Sequence, residues 1–174
     1  MEKYDLETLR HSTAHVLAQA IQELYSSETV KLGIGPTIEH GFYYDIDMKT
    51  RILDEDLKKI EKRMKEIIKR GDKITRHEAS RKEALKLFAE KGQEYKVELI
   101  NELPDSEVIS FYTQGEHFID LCRGPHVETT KNLNFNFKLL HTAGAYWRGN
   151  EKKPMLQRIY AACFESKEEL KKHL

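Results

Sequence analysis

The chain has 174 residues, enough for one domain with a substantial core. Lysine plus arginine equals aspartate plus glutamate at 29 each, so no global basic field advertises nucleic acid; RNA contact would need a local patch or another domain. Two cysteines exclude a disulfide scaffold and suit a reducing compartment, and no apolar run approaches the roughly 18 residues of a membrane span.

The opening MEKYDLETLRH lacks the apolar segment of a signal peptide, so a cytoplasmic protein with no membrane association is expected. Asp5 can cap a helix over residues 5–25, with Leu6, Leu9, Val16, Ala20 and Leu24 as its apolar stripe. Residues 28–32 lead into a strand, which Gly33, Gly35 and Pro36 interrupt. Glu39-His40-Gly41 reads as a hairpin turn and Phe42–Ile46 as its return strand.

The second helix carries Leu53, Leu57, Ile60, Met64 and Ile67 at alternating spacings of four and three. Asp54, Glu55 and Asp56 at its start, Lys69 and Arg70 at its end, and Gly71 as a stop match the helix dipole and a C-cap. Its other basic residues, Lys58, Lys59, Lys62 and Lys65, alternate with glutamates and read as a solvated face. Ser80 caps a helix through Phe88, and residues 95–102 fit helix or strand. Strands are read at Val108–Tyr112, His117–Leu121, Phe135–His141 and Gln157–Phe164, and a charged helix at Glu165–Leu174. The fold class is α+β, a mostly antiparallel sheet with packed helices. It forms one domain over 1–174 with a small sub-lobe around 72–105.

Three groups of residues can carry chemistry. His11 and His15 are four apart on a helix and share a face, but one nearly opposite the apolar stripe; taken alone, two solvent-facing histidines are the plainer reading. In Asp120-Leu-Cys122-Arg-Gly-Pro-His126, strand alternation puts Asp120 and Cys122 on one face and Ile119 and Leu121 on the other. Pro125 suits the first position of a new helix, which would hold His126 near Cys122. His11, His15, Cys122 and His126 together are a zinc ligand set by residue type but not by zinc-finger spacing, and they could equally surround a bound water as bases and donors. Lys96 follows an aromatic residue and alone reads as surface. The run TAGAYWRG at 142–149 suits RNA ends by stacking, or a strand end filled by one core tryptophan.

HSTAHVLAQAI at 11–21, GPTIEHGFYYDID at 35–47, HFIDLCRGPHV at 117–127, TAGAYWRG at 142–149 and MLQRIYAACF at 155–164 resemble the editing (N2-type) domain of bacterial threonyl-tRNA synthetases. The paired HxxxH and CxxxH also occur in the related alanyl-tRNA synthetase editing domains, while CRGPH and GFYYD look like the threonyl branch. The resemblance implies the editing-domain fold. It also implies post-transfer editing, in which Ser-tRNA(Thr) is hydrolysed and Thr-tRNA(Thr) is left intact.

By the same resemblance, His11, His15, Cys122 and His126 are catalytic, and Lys96, Asp120 and Tyr44 bind substrate. The partner implied is the 3′ end of tRNA(Thr) carrying serine. In a full-length synthetase the aminoacylation core and a neighbouring N-terminal domain are partners too. Nothing in the chain resembles that core or an anticodon-binding domain, so no aminoacylation is expected of it. No cofactor is expected; the alternative is zinc on the His/Cys cluster. The rival functions are an alanyl-type trans-editing hydrolase and a non-catalytic tRNA-binding appendage.

Overall fold

The computed structural model describes residues 4–174; Met1 to Lys3, the start of the stretch read for a leader, lie outside the described residues. The fold is α+β, with two antiparallel sheets on either side of one central helix. That helix, α1 (Leu6–Leu24), starts where the Asp5 carboxylate accepts the Thr8 N–H at 2.8 Å.

A short strand β1 (Lys31–Leu32) and a shorter one, β2 (Thr37–Ile38), both pair with β3 (Gly41–Asp47). Helix α2 (Leu57–Arg70) ends at Gly71 in the left-handed conformation, as the sequence predicts. The small lobe holds β4 (Ile74–Ala79), α3 (Arg81–Glu90), α4 (Glu94–Glu102), β5 (Ile109–Gln114) and β6 (Phe118–Leu121). Then come β7 (Phe137–Tyr146), β8 (Met155–Cys163) and a terminal α5 (Lys167–His173). The large sheet runs β1-β3-β8-β7 with β2 beside β1 on the edge of β3, and the small sheet runs β4-β5-β6.

Helix α1 corrects the sequence reading. Its buried residues run unbroken from Ser12 to Ile21, whereas Leu6, Leu9 and Leu24, read as its apolar stripe, are only half-buried. The physical reason is that α1 is covered on both sides. Helix α2 and β3 of the large sheet pack on α1, and the small sheet covers the face of His15 and Gln19 through Phe118 and Gln114. The face read as solvent-exposed is therefore covered: His15 is buried and His11 half-buried.

Other differences are local. Leu53 precedes α2 and is exposed, because residues 54–56 form a separate 3-10 turn. Residues 95–102 are helix, and α5 begins two residues later than expected. Strand β4, with alternate residues ITRHEA, was not anticipated: as an edge strand it keeps charged side chains in water and shows only a weak apolar alternation. Strand β7 runs on to Tyr146, past a bulge between Leu139 and His141. Pro125 does not start a helix. Residues 122–127 are irregular, and the next helical turn is Thr130–Asn132.

The small lobe has its own core of Ala84, Phe88, Ile100 and Ile109, against which Ile119 and Leu121 pack. Their alternation partner Asp120 therefore points the other way, into the space between the lobes, and is 1% exposed. No helix among the described residues is long and apolar enough to cross a membrane.

Candidate functional site

The seven residues singled out from the sequence meet where α1, β3, α4 and the end of β6 converge. Helix α1 supplies His11 and His15 one turn apart, with ring centroids 5.2 Å from each other. The irregular segment after β6 returns His126 over both, 4.3 Å from the His11 ring and 4.2 Å from the His15 ring. Cys122 Sγ lies 3.3 Å from His11 Nε2 and 3.2 Å from His126 Nε2, and the Gly124 N–H donates to it at 3.2 Å.

Asp120 is the second focus. Tyr44 Oη donates to its Oδ2 at 2.5 Å, Lys96 Nζ is 2.7 Å from its Oδ1, and His15 Nε2 is 3.3 Å from its Oδ2. Lys96, with 3% exposure, is therefore no surface lysine. Its placement follows from how α4 is pinned. The Gln93 side chain accepts the Leu32 N–H at 2.7 Å and donates to Val30 O, and Tyr95 donates to Asp47 while packing on Trp147. Trp147 thus fills a core position, and Tyr146 beside it is exposed.

Ser12, Tyr112, Gly35 and Gly124 belong to the site but were not read from the sequence. Ser12 Oγ is 2.9 Å from His126 Nδ1 and accepts the Val127 N–H, so it turns the other imidazole edge toward Cys122. Tyr112 meets the His126 ring edge-on at 4.4 Å. A methyl group on Gly35 would run into the Tyr44 ring, and one on Gly124, at φ 82°, would meet Tyr112. The signal for Ser12 was its position between the two histidines; nothing local marks the other three.

Burial sets the protonation of the cluster. It drives His15 well below the ordinary imidazole range, and the nearby His11 and Lys96 charges add to this. His126 is depressed by burial and by the other two histidines. His11 is lowered by burial, with Asp120 pulling the other way. Burial raises Cys122 to about 12 against the opposing Gly124 N–H. The resting cluster is thus three neutral imidazoles around a protonated thiol. The thiol is not poised as a nucleophile, and the imidazoles rest unprotonated, His11 the least perturbed toward resisting a proton because Asp120 opposes its burial.

The same four side chains are also compact enough to hold a metal ion. One ligand atom from each of His11, His15, Cys122 and His126 lies within 4.8 Å of the others. His15 Nδ1 is buried and has no hydrogen-bond partner among the described residues. The donor set and this open nitrogen fit a tetrahedral ion of the zinc type, with a small contraction. The cluster is reached from two sides: His11 borders a cavity of about 420 Å3 with Pro36, Gly124 and Pro125, and Cys122 borders one of about 380 Å3 with Leu99, Ser110 and Arg148.

Comparison with known proteins agrees with the resemblance. Residues 109–160 match the family described as threonyl and alanyl tRNA synthetase second additional domain. The chain is 54% identical over 175 residues to a threonine–tRNA ligase of Sulfurihydrogenibium sp., covering 99% of the chain and 27% of that protein. It is 55% identical over 173 residues to that of Clostridioides difficile, covering 99% and 26%. Against the Aquifex aeolicus enzyme the identity is 50%, covering 99% and 27%. The chain spans about a quarter of the length of these curated relatives. Over nearly its whole length, then, the chain is similar to one segment of the threonine–tRNA ligases, and within it residues 109–160 match the second additional domain of threonyl and alanyl tRNA synthetases.

Proposed function

We propose that the chain is an editing unit that hydrolyses the ester joining serine to the 3′ end of threonine tRNA and spares threonyl-tRNA. The observation that carries this reading is the meeting of a buried carboxylate, Asp120, with the Cys122 thiol and the imidazoles of His11, His15 and His126 between two lobes. Serine differs from threonine by one methyl group, worth only about 1–3 kcal/mol in a pocket built for threonine. A second site that rejects the larger side chain by contact supplies the missing discrimination.

The step is ordinary ester hydrolysis. His11 takes a proton from water, and the water oxygen attacks the ester carbonyl carbon. The oxyanion is stabilised by donors from Cys122, His15 and His126. The carbonyl carbon–ribose oxygen bond then breaks, and the proton held by His11 passes to the ribose oxygen, releasing serine and free tRNA. Asp120 receives the substrate ammonium, Lys96 faces the ribose or carbonyl side, and Tyr44 fixes the carboxylate. The reading is metal-free. The alternative, zinc on His11, His15, Cys122 and His126, is favoured by the compactness of that set, and bound zinc would supply a polarised water.

The chain acts in the cytoplasm as one unit, with 72–105 in its small lobe. In a full-length ligase its partners are the aminoacylation core and the preceding domain. The deciding experiment is deacylation of Ser-tRNA(Thr) and Thr-tRNA(Thr) by this chain. Serine release at least tenfold faster than threonine release is expected, with large losses in His11→Ala, Cys122→Ala and Lys96→Ala. Near-normal rates in all three folded variants would sink the assignment. Faster hydrolysis of Ser-tRNA(Ala) would favour the alanyl-type editor, and tRNA binding without cleavage the non-catalytic appendage.

A further inference from the structure

The outer face of the large sheet carries a feature that the ester chemistry does not use. Tyr43, Tyr160 and His141 are cross-strand partners in one row of β3, β8 and β7. The Tyr43 and Tyr160 ring centroids are 5.7 Å apart, and Tyr160 and His141 stack at 4.8 Å. In the next row Arg158 lies over the Tyr43 ring at 3.9 Å, held by Asp45 at 2.8 and 3.0 Å. His141 is exposed and the two tyrosines are half-buried, on the face opposite Tyr44 and the core. Arg158 pairs in register with Ala143, so that end of the row is flat.

This row connects to the site. Tyr43 and Arg158 line a cavity of about 470 Å3 with Tyr146, Arg148 and Leu99. Leu99 and Arg148 also line the cavity that contains Cys122. The face is not strongly cationic: Asp45 offsets Arg158 and Glu102 pairs with Arg148, leaving Lys138 one row away as an exposed positive charge. A surface with ring faces and little net field selects unpaired bases by stacking rather than a duplex by its phosphates.

We propose that Tyr43, Tyr160 and His141 form a stacking platform for the unpaired 3′ strand of the RNA substrate. The strand crosses the outer sheet face while its terminal ester reaches Cys122 past Leu99 and Arg148. The inference rests on the seryl-tRNA reading above, and the test keeps the two apart.

The variants are Tyr160→Leu and His141→Ala, with Tyr160→Phe as the conservative control. Each is assayed on seryl-tRNA and on 3′-seryl-adenosine, which has no upstream nucleotides. The platform predicts a KM for seryl-tRNA raised about tenfold in the first two, the size of one lost base stack. It predicts unchanged kcat, recovery in Tyr160→Phe, and unchanged hydrolysis of seryl-adenosine. Equal losses on both substrates, or no loss on either, overturns it. Cleavage of neither substrate by the wild-type chain would defeat the hydrolase reading alone. The platform is then judged by fluorescence anisotropy with a labelled, unpaired oligoribonucleotide. Binding weakened about tenfold by Tyr160→Leu, with duplex RNA a poor competitor, supports it; no binding, as expected if the face docks another part of a longer protein, overturns it.

Discussion

Tyr44 Oη and Asp120 Oδ2, 2.5 Å apart and both buried, tie β3 of the large sheet to β6 of the small one. A hydrogen bond to a carboxylate out of water is among the stronger single contacts a side chain can make. Tyr44→Phe keeps the ring against Gly35 and removes only the donor. The expected cost is about 1.5–3 kcal/mol of unfolding free energy. Urea denaturation measures it, and a loss under about 0.5 kcal/mol would show that the contact is weak in solution.

Lys96 and Asp120 form a pair with almost no exposure, so each side chain depends on the other to offset its desolvation. Lys96→Met or Asp120→Asn alone strands a charge and should cost about 3–5 kcal/mol. The double variant should cost clearly less than the sum, because neither charge is then left unpaired. Strict additivity in this cycle would mean the two groups are not coupled.

The three histidines predict how stability follows pH in the metal-free chain. Their pKa values are depressed in the folded state, so the unfolded chain takes up protons first as pH falls through about 6.5. The stability they allow is full above that pH and is lost progressively below it. Each contributes up to about 1.4 kcal/mol per pH unit over the window between its unfolded and folded values. Denaturation in the presence of chelator, stepped from pH 7.5 to 5.5, should show a falling midpoint, with a shallower slope in His15→Asn. A flat profile would place the imidazoles in solvent contact.

Metal removal separates the two readings of the same cluster. Protein purified without a His tag and treated with a chelator should keep its melting temperature and the proposed seryl-tRNA hydrolysis. Stoichiometric zinc, with a marked drop in melting temperature on its removal, would transfer His11, His15, Cys122 and His126 to a metal role.

How much was legible in the sequence depended on whether a signal was local. The C-terminal end of helix α2 could be read to the residue, because its apolar period, its basic last turn and Gly71 all agree, but its start was set too early, since residues 54–56 form a separate 3-10 turn. Helix α1 could be placed but its faces could not be sorted. A helix sandwiched between two sheets carries small, polar and apolar residues around its whole circumference, and periodicity then says little about direction. The alternation of Asp120 with Ile119 and Leu121 was legible, but not that the two faces belong to different cores. The geometry after Cys122 was misjudged, since a proline suited to a helix start fits an irregular turn equally well. The His/Cys set could be proposed from residue type, but that Lys96 and Tyr44 join it came from family likeness. No spacing rule spans 111 residues between His11 and Cys122.

The site has no home in either lobe: the helix brings two imidazoles, the large sheet a phenol, the small lobe an amine and a carboxylate, and the irregular segment after it a thiol and the third imidazole. It therefore behaves as a coincidence detector for correct docking of the lobes. A small hinge opening between them would disperse the reacting groups while leaving each sheet intact. Loss of the proposed ester hydrolysis would then appear at temperatures or denaturant levels where bulk probes of secondary structure still report a native chain.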